Sequence, residues 1–195
     1  MLPILIFLKV NIRNVFISSG HSNISGTDRG ATGIDGIVEG DLVVELKDLI
    51  VKELQLLNQI VFTDHNSYVT NDTVKIINKL LKPHDVAIDL HFNAFAVESA
   101  KGTEVLVPFK ASKFELDLAK CLCDQISACL NTKNRGIKTE ANSARKHLIF
   151  MTPNCENILI EVCFITNKTD LIMYLTKKQM VAKVIAKCIF DFLTK

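Results

Sequence analysis

The chain has 195 residues, of which 48% are hydrophobic, and this suffices for one well-packed domain but is short for two. Its formal net charge is +2 without a block of like charges, so the composition gives no support for nucleic-acid binding. The apolar run over residues 1–10 is shorter than the ~20 residues that span a bilayer. It also lacks the basic start and cleavage site of a signal peptide. We therefore expect a first strand or a disordered start there, without stable membrane insertion.

Strand-like and helix-like segments alternate along the chain. The first strand is predicted at 14–18, and a loop with five glycines follows over residues 20–36. Further strands are predicted at 60–63, 86–91, 102–108 and 157–162, and helices at 39–58, 71–81, 113–130 and 177–194. This order predicts a single α/β domain over 1–195, with its core from about residue 14. The expected architecture is a three-layer sandwich, a twisted, mostly parallel sheet flanked by helices.

Four scattered residues could form a metal site. His21, Glu39 and His91 combine two imidazoles with one carboxylate, a set typical of catalytic zinc that keeps a coordination position for water. Both histidines stand where a predicted strand meets a loop, which is where open α/β sheets hold their ligands. Glu39 begins a predicted helix, so a favourable interaction with the helix dipole explains its position equally well.

Two acids within apolar strands need a partner. Glu161 follows Asn-Ile-Leu-Ile, and burying its charge uncompensated would be expensive, so it either meets a cation or faces a site. Asp89 stands two residues before His91 and shares its face of a regular strand. It could hold the imidazole of a metal ligand, or it could contact a nearby backbone amide.

The cysteines favour a structural interpretation. Most lie among apolar neighbours, and two of them are only two residues apart on a predicted helix, where they point to different sides and make a poor metal pair. We expect reduced core thiols rather than a disulfide framework. The six are Cys121, Cys123, Cys129, Cys155, Cys163 and Cys188.

Seven short motifs follow one another in a fixed order. They are Ser-Gly-His at 19–21, Asp-Arg-Gly-Ala at 28–31, Glu39 at a helix start, Asp-Leu-His-Phe-Asn-Ala at 89–94, Gly-Thr-Glu-Val at 102–105, Arg-Gly-Ile-Lys at 135–138 and Ile-Glu-Val-Cys-Phe-Ile-Thr-Asn at 160–167. Each is weak alone. Together they resemble the zinc-dependent N-acetylmuramoyl-L-alanine amidases, often called amidase type 3, which cut bacterial peptidoglycan.

The resemblance implies one Zn²⁺ per chain, bound by His21, Glu39 and His91, with Glu161 as the catalytic acid–base. The bond cut would be the amide between the lactyl group of N-acetylmuramic acid and the L-alanine of the stem peptide. Three further residues, Asp89, Asn93 and Arg135, are expected to support these ligands or to contact substrate.

The resemblance also carries expectations about setting. A compact chain without a separate cell-wall-binding domain resembles phage or prophage endolysins more than secreted autolysins. We expect a monomer that is made in the cytoplasm, is released by lysis or a holin-like route, and acts on peptidoglycan. Two departures from the family pattern, Asp64 where an arginine is common and Cys163 where glycine is usual, leave details of the substrate groove open.

Three alternatives remain open from sequence. Another zinc amide hydrolase or peptidase acting on cell-wall peptides would share the metal set. A non-catalytic peptidoglycan-binding relative would keep the fold, although the presence of Glu161 speaks against it. A cysteine hydrolase would use Cys155 or Cys163 with a histidine.

Overall fold

The computed structural model describes residues 13–66, 70–143 and 146–194, so the apolar run at 1–10 lies outside the described residues. The strands are β1 (Val15–Ser18), β2 (Val61–Thr63), β3 (Val86–Asn93), β4 (Thr103–Val107), β5 (Asn134–Thr139) and β6 (Glu156–Phe164). The helices are α1 (Glu39–Leu56), α2 (Thr70–Leu80), α3 (Lys113–Leu130) and α4 (Lys168–Leu193). Short 3₁₀ turns occupy Ile34–Gly36, Glu140–Asn142 and Ile149–Met151. None of the helices within these ranges is long and apolar enough to cross a membrane.

The six strands form one sheet in the order β2-β1-β3-β6-β4-β5. Strands β2, β1, β3 and β6 run parallel, whereas β4 pairs antiparallel with β6 and parallel with β5. The expected α/β architecture with a mostly parallel sheet is therefore confirmed. The antiparallel step places the end of β6 beside the start of β4, so that Glu161 stands opposite Glu104.

The structure adds one strand that the sequence patterns did not predict and starts one predicted helix earlier. Strand β5 lies at the edge of the sheet and has one apolar side chain, Ile137, which packs against the main core. A single inward residue gives no alternation that can be recognised in the sequence. Helix α4 begins at Lys168 rather than at residue 177, because Asn167 accepts a hydrogen bond from the Asp170 amide and so caps its first turn.

The two faces of the sheet are covered unequally. Helices α1, α3 and α4 pack on one face, against alternate residues of β1, β3, β4 and β6. Within the described part of the chain, the other face carries α2 and residues 140–143 and 146–155, which contribute to two small apolar clusters. On this face the β3 side chains that follow Ala87 are polar: Asp89, His91 and Asn93. The thin cover therefore leaves a cleft above the ends of β3 and β6.

Candidate active site

The structure brings the three predicted metal ligands together from separate elements. His21 follows β1 after a tight turn, Glu39 is the first residue of α1, and His91 lies near the end of β3. Their ligand atoms all lie within 4.8 Å of one another. The carboxylate stands between the two imidazoles: Glu39 Oε2 is 3.5 Å from His21 Nε2, and Glu39 Oε1 is 3.2 Å from His91 Nδ1. The imidazole rings are nearly perpendicular, with centroids 4.8 Å apart.

Two backbone amides fix the Glu39 carboxylate in place. The Ala31 N–H donates to Oε2 at 2.9 Å and the Phe92 N–H donates to Oε1 at 3.0 Å. Burial alone would raise the pKa of Glu39, but the hydrogen bond and charge of His91, together with the charge of His21 and the Ala31 amide, lower it below its ordinary value. The Glu39 carboxylate is therefore held in place between the two imidazoles in its charged form, and it could bind a cation there.

In each imidazole, the ring nitrogen that faces away from Glu39 lies near a second carboxylate. His91 Nε2 lies 3.1 Å from Asp89 Oδ2, and His21 Nδ1 lies 3.3 Å from Asp28 Oδ1. A carboxylate behind a ligand imidazole fixes its tautomer and orientation and increases its basicity as a metal ligand. Of the two contacts considered for Asp89 from the sequence, the structure shows the one to the His91 imidazole. Asp28 lies close to His21 Nδ1 but makes no hydrogen bond to it among the described residues, and sequence reasoning did not single it out although it lies within a quoted motif.

The electrostatics of the cluster favour a cation at its centre. Burial alone would lower the pKa of His91, but the carboxylates of Asp89, Glu39 and Glu161 raise it well above its usual value. A metal ion competes with the proton for an imidazole, so surroundings that stabilise the positive charge of His91 also suit a divalent metal ion. Two imidazoles and one carboxylate are a donor set that such ions accept. His21, Glu39 and His91 could therefore hold one metal ion.

Glu161 stands beside this cluster on the adjacent strand. It pairs with His91 in the parallel register of β3 and β6, and its Oε2 is buried without a hydrogen-bond partner among the described residues. Burial raises the pKa of Glu161 to about 7, assisted by the negative charges of Glu39, Glu104 and Asp89 and opposed by His91. A carboxyl group that exchanges its proton near neutral pH is suited to general acid–base catalysis. A metal ion bound nearby would favour its charged form.

A cavity of about 340 Å³ opens over these residues. Its inner end is lined by His21, Glu39, His91 and Glu161. Its lining also includes apolar side chains, with Leu106 and Leu159 from the sheet and Leu148, Ile149 and Phe150 from the segment after residue 146. The cavity can therefore receive a chain with polar and apolar parts and place it against the acid and the imidazoles.

Two glycines allow this close approach. Gly20 and Gly30 have φ values of +62° and +69°, a left-handed conformation that side chains disfavour. A Cβ on Gly20 would lie 2.5 Å from His91 Nε2, and one on Gly30 would lie 2.5 Å from Glu39 Oε2. The glycine-rich loop, predicted only as irregular backbone, thus shapes the site directly.

Asn93 and Arg135 occupy different positions. Asn93 lines the cavity and donates to Glu104 Oε1 at 3.0 Å. Arg135 is not among the residues that line the described cavity; it donates to Glu104 Oε2, which Lys138 also binds at 2.6 Å. Burial would raise the pKa of Glu104, but hydrogen bonds from Arg135 and Lys138 hold it below its usual value. Arg135 therefore reaches the site only through Glu104, which sequence reasoning did not identify despite its place in the Gly-Thr-Glu-Val motif.

The cysteine alternative finds little support. Burial raises the pKa of Cys155 to about 12 and that of Cys163 well above its usual value, which removes the thiolate needed for attack. Among the described residues that line the cavity there is no cysteine.

The departure at Asp64 has a structural explanation. Its carboxylate pairs with the buried Lys47 at 2.9 Å and accepts hydrogen bonds from the hydroxyls of Ser18 and Thr73. The Lys47 ammonium also donates to Asn66 and to the Asp64 carbonyl. Asp64 therefore holds the ends of β1 and β2 together behind the His21 loop.

Comparison with known proteins agrees with the geometry. The family model described as N-acetylmuramoyl-L-alanine amidase, amidase type 3, matches residues 15–194. The chain belongs to this family. All four central residues of the cluster, His21, Glu39, His91 and Glu161, lie within the matched range, so the family assignment covers the whole site.

Individual members of the amidase family are distant in sequence. The N-acetylmuramoyl-L-alanine amidase LytC of Bacillus subtilis is 25% identical over 161 residues, which cover 80% of this chain and 30% of that protein. An uncharacterized 38.4 kDa protein of Clostridium perfringens is 28% identical over 188 residues, covering 93% and 52%. The chain therefore spans about half or less of the length of these curated relatives. The crystal structure of an N-acetylmuramoyl-L-alanine amidase from Clostridium difficile 630 superposes with a TM-score of 0.79 at 25% identity, covering 94% of this chain and 97% of that one.

Proposed function

We propose that this chain is a zinc-dependent N-acetylmuramoyl-L-alanine amidase, which hydrolyses the amide between the lactyl group of N-acetylmuramic acid and L-alanine in bacterial peptidoglycan. The observation that carries the proposal is the convergence of His21, Glu39 and His91 within 4.8 Å, next to an acid with a pKa of about 7, in a chain of the amidase family. One zinc ion per chain would be held by these three residues.

Each residue of the cluster has a part in the proposed reaction. When bound, zinc would polarise the scissile carbonyl and make a water molecule more acidic. Glu161 would accept the proton of the attacking water and later deliver it to the departing L-alanine nitrogen. Asp89 would keep the imidazole of His91 oriented through the nitrogen that faces away from the Glu39 carboxylate. Asp28 lies 3.3 Å from the corresponding nitrogen of His21.

The cavity walls suit the proposed substrate. The inner end meets the amide to be cut, and the apolar lining side chains, which include Leu148 and Phe150, would cover the stem peptide and exclude bulk water. The four central side chains come from a single chain, so the proposed reaction requires no second subunit. Its place of action would be the bacterial cell wall.

The test is digestion of purified peptidoglycan, followed by mass analysis of the released fragments. We expect intact stem peptides with a free L-alanine amine, loss of activity with a chelator, and recovery on addition of zinc. New reducing ends, or termini inside the stem peptide, would refute the proposed bond and indicate a different cell-wall hydrolase.

Matched variants separate the proposed roles. Glu161→Gln keeps the size of the side chain and should retain stoichiometric zinc while losing hydrolysis. His21→Ala and His91→Ala should lose zinc and hydrolysis together. Full zinc content and activity in the double His21→Ala, His91→Ala variant would overturn the ligand assignment, and a zinc-binding protein inactive on every wall preparation would favour a binding module.

A further inference from the structure

Helices α3 and α4 pack along an antiparallel seam on the sheet face opposite the cleft. Three contacts define the seam: the rings of Phe114 and Phe192 meet edge to face at 5.9 Å, Cys121 Sγ lies 2.8 Å from Cys188 Sγ, and the Lys177 ammonium donates to the Cys129 carbonyl at 2.7 Å. The residue numbers of these contacts increase along α3 and decrease along α4, so the two helices run antiparallel. This pairing holds Cys121 and Cys188, 67 residues apart in sequence, in fixed register with their sulfurs in contact.

We propose that Cys121 and Cys188 form a redox-dependent crosslink between α3 and α4, a dithiol under reducing conditions and a disulfide when a small-molecule disulfide is present. The two sulfurs lie 2.8 Å apart, so bond formation requires them to approach by only about 0.8 Å. The crosslink is independent of the reaction at the cleft, because α3 and α4 cover the other face of the sheet.

The surroundings assign a different part to each thiol. Cys121 is half-buried and lines a surface cavity of about 540 Å³, beside Phe114, Phe192 and Lys120, so it is the more exposed of the two thiols. Cys188 is only 4% exposed and lies behind it. Contact with Cys121, followed by burial, raises the pKa of Cys188, which disfavours it as the first attacking thiolate.

The exchange balances without any further reactant. The Cys121 thiolate attacks one sulfur of a disulfide such as oxidised glutathione, forming a mixed disulfide and releasing one reduced thiol. Cys188 then attacks Cys121 Sγ, giving up its proton to solvent, and expels the second thiol. The proximity of the two sulfurs favours this step. Once Cys121 carries the mixed disulfide, its thiol no longer raises the pKa of Cys188. Two protein thiols are oxidised and one small disulfide is reduced to two thiols.

The experiment exposes the folded, reduced protein to excess oxidised glutathione, then denatures it, alkylates the remaining thiols and measures its mass. We expect the wild type to carry four alkyl groups instead of six, with no retained glutathione, and peptide mapping to join Cys121 to Cys188. The oxidised protein should unfold at a temperature roughly 5–15 °C above the reduced one.

Variants test the order of the two steps. Cys188→Ala should stop at a mixed disulfide that keeps one glutathione on Cys121, while Cys121→Ala should keep all of its remaining thiols. Cys129→Ser, which removes another half-buried thiol of the same helix, should crosslink as the wild type does. Six alkylated thiols in the oxidised wild type, or a crosslink that maps to a different pair, would overturn the proposal without reference to any variant.

Discussion

Glu161 should lower the stability of the metal-free protein at neutral pH, and Glu161→Gln should relieve this. The fold raises the pKa of its carboxyl from an ordinary value of 4.5 to about 7, mainly by burial. Between these values the folded state binds more protons than the unfolded state, so the free energy of unfolding falls as the pH rises. A shift of this size, at about 1.4 kcal/mol per pH unit, corresponds to about 3 kcal/mol above pH 7.

Glutamine at position 161 stays neutral, so the folded protein loses no stability through ionisation of a buried carboxyl. In the presence of a chelator, we expect Glu161→Gln to match the wild type below pH 4.5 and to exceed it by about 3 kcal/mol at pH 8. Urea unfolding of both proteins at a series of pH values measures the difference, and comparison at each pH cancels the ionisable groups that do not interact with Glu161. Added zinc should reduce this difference in the free energy of unfolding, since a cation near the carboxylate stabilises its charged form. A difference that stays constant from pH 4.5 to pH 8 would refute this reasoning.

The remaining predictions concern the supports of the site. Asp89→Asn should weaken zinc binding roughly 10- to 100-fold, as measured by competition with a chromogenic chelator, because His91 loses its charged partner. Gly30→Ala should reduce zinc occupancy, because its Cβ would lie 2.5 Å from Glu39 Oε2; metal analysis that finds full occupancy would contradict this steric argument. Lys47→Met should lower the free energy of unfolding by roughly 3–5 kcal/mol in urea, since Asp64 would be a buried charge without its counterion. Adding Asp64→Asn to Lys47→Met should recover part of that loss, and no recovery would refute the charge argument.

The chemistry of the site could be predicted from the sequence because it depends on residue types near strand ends. A β-strand is only a few residues long, so a short apolar run indicates where the strand ends. The positions of His21 and His91 near strand ends could therefore be predicted. Period-two alternation placed Asp89 on the same face as His91, and in the structure the two side chains are in contact. Glu39 was ambiguous by position alone, because a helix start favours an acid whether or not a metal is bound.

Other features depended on contacts between distant segments. The antiparallel pairing of β4 with β6 brings Glu104 opposite Glu161, and no local pattern indicates the direction in which a strand joins a sheet. Strand β5, with one inward apolar residue, exists because it pairs with β4. The register of α3 against α4 likewise set Cys121 against Cys188, a contact between residues far apart in the chain.

The sequence by itself determined the α/β class and most of the element order, because hydrophobic periodicity is a local property, and its ordered motifs pointed to the four residues of the candidate site. Only the tertiary structure decided which face of the sheet is left thinly covered, and so where the cleft opens. It also decided which side chains lie in contact with His21, Glu104 and Cys188. These features depend on packing and on electrostatic interactions through space, and neither is encoded in the spacing of residues along the chain.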